Sequence, residues 1–182
     1  VNIEKGRLNG HFAAGFAASG ALPRLVEIQA GTKLNVVPGK AKAVTEGLDA
    51  AVLADTAKAM EERTGAQFLL EEADGKTVIT AVGKGAHAST PEGGVNALTA
   101  LVSLLCALPF APCGQIEALK KTDALLPHGD TRGKALGIQM EDELSGALTL
   151  AFTMLTVTAD SLDGQFDTRV PICGNEENVL HA

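Results

Sequence analysis

The sequence has 182 residues, of which 46% are hydrophobic and 20% charged, so it can bury a core in one domain or two small ones. The net charge is −7, and lysines and arginines are neither clustered nor interleaved with aromatic residues, which argues against a nucleic-acid partner. The longest apolar run, residues 97–111, is too short to span a membrane and is interrupted by proline, so no membrane partner is expected.

Alternating apolar and polar residues bounded by glycine predict five strands in the first part of the chain. These strands are Leu8–Phe16, Leu25–Ala30, Lys40–Glu46, Ala66–Glu72 and Lys76–Gly83. The sequence ADGK at Ala73–Lys76 predicts a hairpin between the last two, because an Asp-Gly pair suits a tight turn.

Two helices are predicted between and after these strands. The first covers Leu48–Thr64 and ends at Gly65, and the second covers Gly93–Leu108. Thr90 is the predicted N-cap of the second helix, with Pro91 at its first position. The order strand, helix, strand, strand, helix is typical of a ferredoxin-like sandwich, in which helices cover one face of a sheet.

The rest of the chain repeats this pattern more loosely. A helix is predicted at Gln115–Leu126, and strands are predicted at Ala147–Ala159 and Gln165–Val170. We therefore predict an α+β fold of two ferredoxin-like α/β sandwich subdomains with antiparallel sheets that share or extend one sheet. The first subdomain would comprise residues 1–112 and the second residues 113–182.

The cysteines and the N-terminal sequence predict the cellular compartment of the chain and its relation to a longer protein. Three cysteines without CxxC spacing (Cys106, Cys113 and Cys173) fit a reducing compartment better than a disulfide framework. No signal-peptide pattern is visible at the N-terminus, so a cytoplasmic location is expected. Because the sequence starts at Val1 rather than Met, we expect it to be a piece of a longer protein.

Three polar or glycine-rich segments leave alternatives open. His128–Asp130 has the His-x-Asp spacing of some zinc sites, yet no other cluster has ligand spacing with it, and such residues also form turns. The paired acids in Gly174–Asn178 are also typical of solvated charge. The glycines of Gly83–Gly94 contain neither GxxxxGK[ST] nor GxGxxG, so a phosphate loop is weakly supported. We predict no metal ligand in this chain.

His87 lies in the segment Gly83–Leu98, GKGAHASTPEGGVNAL. This segment resembles the His segment, roughly G-x-x-x-H-[AS]-x-x-P-x-x-G-x-N-A, in the lid domain of the co-catalytic zinc peptidases that include aminoacylase and glutamate carboxypeptidase. Two further segments, Gly31–Val44 and Phe166–Pro171, are similar to the family's Asn-x-x-Pro turn and to its late strand with Arg before Pro. Their distances suit the PepV-type dipeptidases, and Leu136–Thr149 is also similar to an intervening PepV-type segment.

The resemblance implies roles for three residues. His87 would donate a hydrogen bond to the oxyanion of the tetrahedral intermediate, while Asn35 and Arg169 would bind the terminal carboxylate of a dipeptide substrate. The family's two zinc ions are held by a separate catalytic domain, whose His-x-Asp strand, Glu-Glu general base and terminal His are absent here. The resemblance thus implies the lid and substrate-binding domain of a zinc-dependent dipeptidase, whose partner is the catalytic domain of the same parent chain. The isolated chain is predicted to be inactive.

Interpretations without a catalytic role stay open for the same residues at this point. Arg169 shares a strand face with Asp167, so it could be a surface cation paired with Asp167 or Asp163. The whole chain could also be a stand-alone ferredoxin-like module that binds a small molecule or dimerises, in which His87 would have no catalytic role. Coding sequence for His-x-Asp and Glu-Glu segments on both sides of this chain would favour the lid interpretation.

Overall fold

Apolar and polar residues alternate along most strands of the computed structural model, which describes residues 4–180. The strands are β1 (Gly6–Gly15), β2 (Arg24–Ala30), β3 (Val36–Val37), β4 (Lys40–Glu46), β5 (Gln67–Ala73), β6 (Lys76–Val82), β7 (Ala86–His87), β8 (Glu141–Asp142), β9 (Gly146–Ala147), β10 (Thr149–Val157) and β11 (Ser161–Val170). The helices are α1 (Ala50–Thr64), α2 (Ala97–Ala107), α3 (Gly114–Leu125) and α4 (Glu176–Leu180). Within the described range, no helix combines the length and apolar character needed to cross a membrane.

One seven-stranded sheet organises the chain, in the order β1-β11-β10-β2-β4-β6-β5. All neighbouring strands are antiparallel, which confirms the predicted α+β class with antiparallel pairing. The first strand, β1, lies beside the last, β11, and the sheet continues without a break between the strands on either side of residue 112. The division at residues 112 and 113, and the ferredoxin-like form of each part, stay predictions.

The two faces of this sheet differ in composition. One face is apolar and is covered by α1, α2 and α3. Its largest buried strand side chains are Ile28, Ile79, Phe152, Leu155 and Leu162. The helix α2 is buried on nearly every side, because it contacts the sheet as well as α1 and α3. We call the opposite face, which has no α-helix packed on it among the described residues, the open face.

A β-bulge in β10 changes which residues face the core. The register with β11 shifts between Phe152 and Met154, so Thr153 is an extra residue in β10. Phe152 is buried before the bulge, and Leu155 and Val157 are buried after it. Met154, which an unbroken alternation from Phe152 would place on the buried face, is only partly buried, because one inserted residue moves the following side chains to the other face.

The start of α2 differs from the prediction. Asn96, not Thr90, is its N-cap, and the Asn96 Oδ1 atom accepts hydrogen bonds from the N–H groups of Leu98 and Thr99 at 3.0 and 3.3 Å. Pro91–Gly93 forms only a single 3-10 turn. The helix starts later because Val95 is paired in both directions with the backbone of Lys84, which keeps the chain extended just before Asn96.

Two local predictions are confirmed. Gly65 ends α1 with a φ of 72°, in the left-handed conformation that glycine adopts readily, and its N–H bonds to the Glu61 carbonyl. Asp74 and Gly75 connect β5 to β6 with φ values of 52° and 75°, as a type I′ hairpin turn requires.

Candidate functional site

The predicted site residues lie on or beside the open face, where a two-stranded ribbon of β3 and β7 packs near β10. Val37 and Ala88 of this ribbon region and Ala151 of β10 form a small buried apolar cluster, separate from the main core. The rest of the open face carries exposed or half-exposed ion pairs, such as Arg24 with Glu46. The ribbon thus shields one end of a face that is otherwise solvated, as is common for antiparallel sheets.

The His87 side chain is exposed at the end of the ribbon, opposite Val36 of β3. The backbone N–H of Ser89 donates a hydrogen bond to His87 Nδ1 at 3.2 Å, and the Ser89 hydroxyl oxygen lies 2.7 Å from the same nitrogen. A backbone N–H can only donate, so Nδ1 is the acceptor and the proton of the neutral ring is assigned to Nε2. The ring therefore has its N–H donor on the side away from Ser89.

Two glycines of the His87 segment allow the backbone approach that holds this loop. A Cβ atom on Gly83 would lie 2.1 Å from the Val95 carbonyl oxygen, and one on Gly94 would lie 2.5 Å from the Lys84 carbonyl oxygen. Real Cβ atoms do not come this close to backbone, so any side chain at either position would force apart the two segments that pair at Lys84 and Val95. These two glycines permit the close backbone pairing that shapes the loop with His87. This structural role accounts for them without the phosphate-binding loop considered from the sequence.

Arg169 on β11 is held by a buried carboxylate. Its Nη2 atom donates to Asp167 Oδ2 at 3.0 Å, and the Asp167 side chain is completely buried. The Nε atom of Arg7 on β1 donates to Asp167 Oδ1 at 3.3 Å. The Nε atom of Arg169 is buried with no hydrogen-bond partner among the described residues. The predicted pairing of Arg169 with Asp167 is thus present, and Asp163 bonds to His11 instead.

His87 and Arg169 line the same shallow pocket, which has a volume of about 390 Å³. Glu4, Lys5 and Ser89 complete its lining. The Lys5 ammonium donates to the Ala147 carbonyl at 2.6 Å, which ties the chain before β1 to this end of the sheet. The positive charges of Lys5 and Arg169 exceed the single negative charge of Glu4, so together with the imidazole donor they can bind a small anion such as a carboxylate.

Asn35 does not line this pocket, although its backbone pairs with that of Ala88, the residue after His87. Its carbonyl accepts a hydrogen bond from the N–H of Ala88 at 3.0 Å, next to the start of β3. The structure therefore brings His87 and Arg169 together and leaves Asn35 at the edge of the ribbon.

No site role was predicted from the sequence for three residues of this pocket, Glu4, Lys5 and Ser89. Ser89 lies two positions after His87, a spacing at which a serine can bond to the preceding side chain, so a local signal existed. Glu4 and Lys5 reach the pocket only because β1 pairs with β11, and nothing local in the sequence indicates that pairing.

The His128–Asp130 segment is a structural turn. The Asp130 carboxylate accepts hydrogen bonds from three backbone N–H groups, those of Arg132, Lys134 and Ala135. His128 bridges two helices, with Nε2 3.1 Å from the Thr64 carbonyl and Nδ1 2.8 Å from the Thr99 hydroxyl. Burial lowers the pKa of His128 below its usual value of 6.5.

The described residues do not fit a resident zinc ion. Within residues 4–180, no three His, Cys, Asp or Glu side chains are grouped closely enough to hold a metal. In the acidic segment Gly174–Asn178, Asn175 and Asn178 bond to each other across the first turn of α4, and the side chain of Glu176 lies outside the described residues. Zinc ions of the kind that the resemblance implies would need ligands from outside the described residues.

Comparison with known proteins supports the resemblance seen in the sequence. No protein-family model matches the chain. It is 34% identical over 152 residues to the putative dipeptidase YtjP of Bacillus subtilis (strain 168), a match that covers 82% of this chain and 32% of that protein. It is 32% identical over 132 residues to the Beta-Ala-Xaa dipeptidase of Lactobacillus delbrueckii subsp. lactis, with coverage of 71% and 27%. The chain spans about a third of the length of these curated relatives.

Proposed function

We propose that this chain, which shares partial homology with PepV-type dipeptidases, is the lid and substrate-binding domain of a zinc-dependent dipeptidase. The catalytic domain, with two zinc ions, would belong to the same parent chain. The observation that carries the proposal is the pocket in which His87 and Arg169 meet, 82 residues apart in a chain that matches a dipeptidase over 82% of its length. The chain's own part would be to bind, orient and polarise the dipeptide.

His87 is the proposed oxyanion donor. Its Nδ1 atom is occupied by Ser89, so the neutral ring offers Nε2–H to a ligand. During attack on a peptide carbonyl, negative charge develops on the carbonyl oxygen, and a preorganised N–H directed at that oxygen stabilises the transition state. The exposure of His87 suits this role, because the substrate and the catalytic domain would cover it when the lid closes.

Arg169 is the proposed carboxylate-binding residue. A guanidinium has five N–H donors, and the contact with Asp167 uses only one nitrogen of the group. Lys5 contributes a second positive charge to the lining of the same pocket. Asn35 would contact the substrate from the edge of the ribbon, after a movement of the chain or of the lid.

A comparison of dipeptide acids and amides in the full-length enzyme tests this assignment. Arg169→Met should lower kcat/KM for a free-carboxylate dipeptide. The corresponding loss of transition-state stabilisation should be about 1.5–3 kcal/mol, the scale of a hydrogen bond to a charged group. The matching dipeptide amide, which has no carboxylate, should be a poor substrate for wild type and should be hardly affected by the substitution. Arg24→Met is the matched control, because Arg24 is paired with Glu46 on the same face and does not line the pocket. Equal losses on the acid and the amide would show that Arg169 supports the fold and does not bind the carboxylate.

A further inference from the structure

Asp167 is a buried carboxylate between two arginines on the open face. Its side chain is 0% exposed, whereas those of Arg7 and Arg169 are 44% and 21% exposed. Each carboxylate oxygen contacts a different guanidinium, at 3.3 Å for Arg7 and 3.0 Å for Arg169. Two positive charges and one negative charge leave one net positive charge beside the pocket that contains His87.

We propose that Asp167 is the positioning residue for Arg169, and that it fixes the guanidinium in the orientation that receives a substrate carboxylate. This inference rests on the proposed function. Asp167 binds Nη2 of Arg169 and leaves the other terminal nitrogen for a ligand. A guanidinium that is already ordered loses less conformational freedom on binding than a mobile one, so the contact favours substrate affinity.

The register of the sheet explains why Arg7 is part of this arrangement. Arg7 lies directly opposite Arg169, and Asn9 lies opposite Asp167. Like charges directly opposite each other on neighbouring strands destabilise a sheet, and the carboxylate between the two arginines offsets that repulsion. Arg7 also binds the Asn9 side chain at 3.2 Å. Arg7 therefore compensates the buried carboxylate from the exposed side, while Arg169 faces the pocket.

A second arginine–carboxylate pair on the same sheet is more exposed than that of Asp167. Arg24 and Glu46 are direct cross-strand partners on β2 and β4, with Nη2 and Oε2 2.6 Å apart. Their side chains are 37% and 29% exposed, and neither lines the pocket. Glu46→Gln is thus the matched control for Asp167→Asn, since each exchanges a carboxylate for an isosteric amide beside an arginine.

Kinetics of the full-length enzyme test the inference. Asp167→Asn should raise KM for a free-carboxylate dipeptide by roughly ten- to a hundredfold, the range of a weakened hydrogen bond to a charged group, with kcat little changed. The amide dipeptide should be cleaved as in wild type, so the preference for the acid should collapse. Asp167→Glu should restore part of that preference, and Glu46→Gln should leave it intact. An unchanged acid preference in Asp167→Asn would overturn the inference.

A measurement without substrate tests this inference separately from the proposed function. It uses the wild-type protein, so it does not depend on whether Asp167 variants fold. In wild-type protein at low temperature, nitrogen-15 NMR should show hindered rotation of the Arg169 guanidinium, with its signals assigned by their loss in Arg169→Met. Rapidly averaged signals would mean that Asp167 does not hold the group, and the inference would fail. Hindered rotation together with equal losses on acid and amide in Arg169→Met would leave the positioning intact and overturn the proposed function.

Discussion

The two faces of the seven-stranded sheet bury their residues for different reasons. The helix-covered face is buried because apolar side chains such as Ile28, Ile79 and Phe152 pack against three helices. At one end of the open face a charged side chain is equally buried, because the carboxylate of Asp167 lies between two arginines. Hydrophobic burial stabilises the first arrangement, whereas the second has to offset the cost of desolvating charge.

Under the proposed function, this difference separates residues that maintain the fold from residues that position a substrate. A buried ion cluster is weak evidence for stability, since desolvation can exceed the attraction between the charges. This buried ion cluster adjoins the pocket of His87, since Arg169 belongs to both. Substitutions on the helix-covered face should therefore act on stability, and substitutions around the pocket mainly on substrate binding and turnover.

The largest expected effect on stability is on the helix-covered face of β10. Leu155 is 1% exposed in the core, and the next residue, Thr156, is exposed on the open face of the same strand. Leu155→Ala should lower the free energy of unfolding by about 2–5 kcal/mol, because it leaves a cavity. Thr156→Ala should cost less than about 1 kcal/mol. Urea denaturation of both variants measures the difference, and similar losses would contradict the distinction between the two faces.

A smaller effect is expected where a polar side chain joins the helix layer to the sheet. Asn96 caps α2 and its Nδ2 atom also donates to the Phe152 carbonyl at 2.8 Å, so Asn96→Ala should destabilise the protein by about 1–3 kcal/mol. The side chain of Thr90 makes no capping hydrogen bond, so Thr90→Ala should cost under about 0.5 kcal/mol. A larger loss for Thr90→Ala in the same denaturation experiment would restore the helix start predicted from the sequence.

The smallest effect concerns pH and His128, a polar residue on the helix side. Burial lowers its pKa in the folded protein, with the charge of Arg63 acting in the same direction and the bond to the Thr64 carbonyl acting against it. The unfolded chain therefore binds this proton near pH 6.5 and the folded chain only at lower pH. Stability from this group is fully present above pH 6.5 and should decrease as the pH falls through that value.

Thermal unfolding of wild type and His128→Gln between pH 7.5 and 5 measures this contribution. The substitution removes the titrating group, so the melting temperature of the variant should depend less on pH than that of wild type. Equal pH dependence in the two proteins would mean that His128 does not contribute through its protonation.

Local features of the fold were predictable from local patterns. The strand Lys40–Glu46 has the predicted bounds, the turn at Asp74 and Gly75 is present, and α1 ends at Gly65. Each of these depends on neighbouring residues, through alternation or through the positive φ that glycine permits. The resemblance, carried by His87 and its flanking segment, is also local and is supported by homology over most of the chain.

Long-range features were not predictable from the same patterns. Arg7 and Asp167 are 160 positions apart and meet only because β1 pairs with β11. Strand order and register depend on the whole sheet, and a single extra residue such as Thr153 reverses the alternation beyond it. The start of α2 was missed for a similar reason, since the pairing of Lys84 with Val95 prevails over the local preference for Thr90 and Pro91 as a helix start.

The most direct test of the central claim is the kcat of His87→Ala in the full-length enzyme. If His87 Nε2–H stabilises the oxyanion, kcat should fall about a hundred- to a thousandfold, the usual cost of losing one such donor, with KM and zinc content little changed. Melting temperature should also change little, because the side chain is exposed on the open face. A variant that folds, keeps its zinc and retains near-normal kcat would contradict the assignment of this pocket to catalysis.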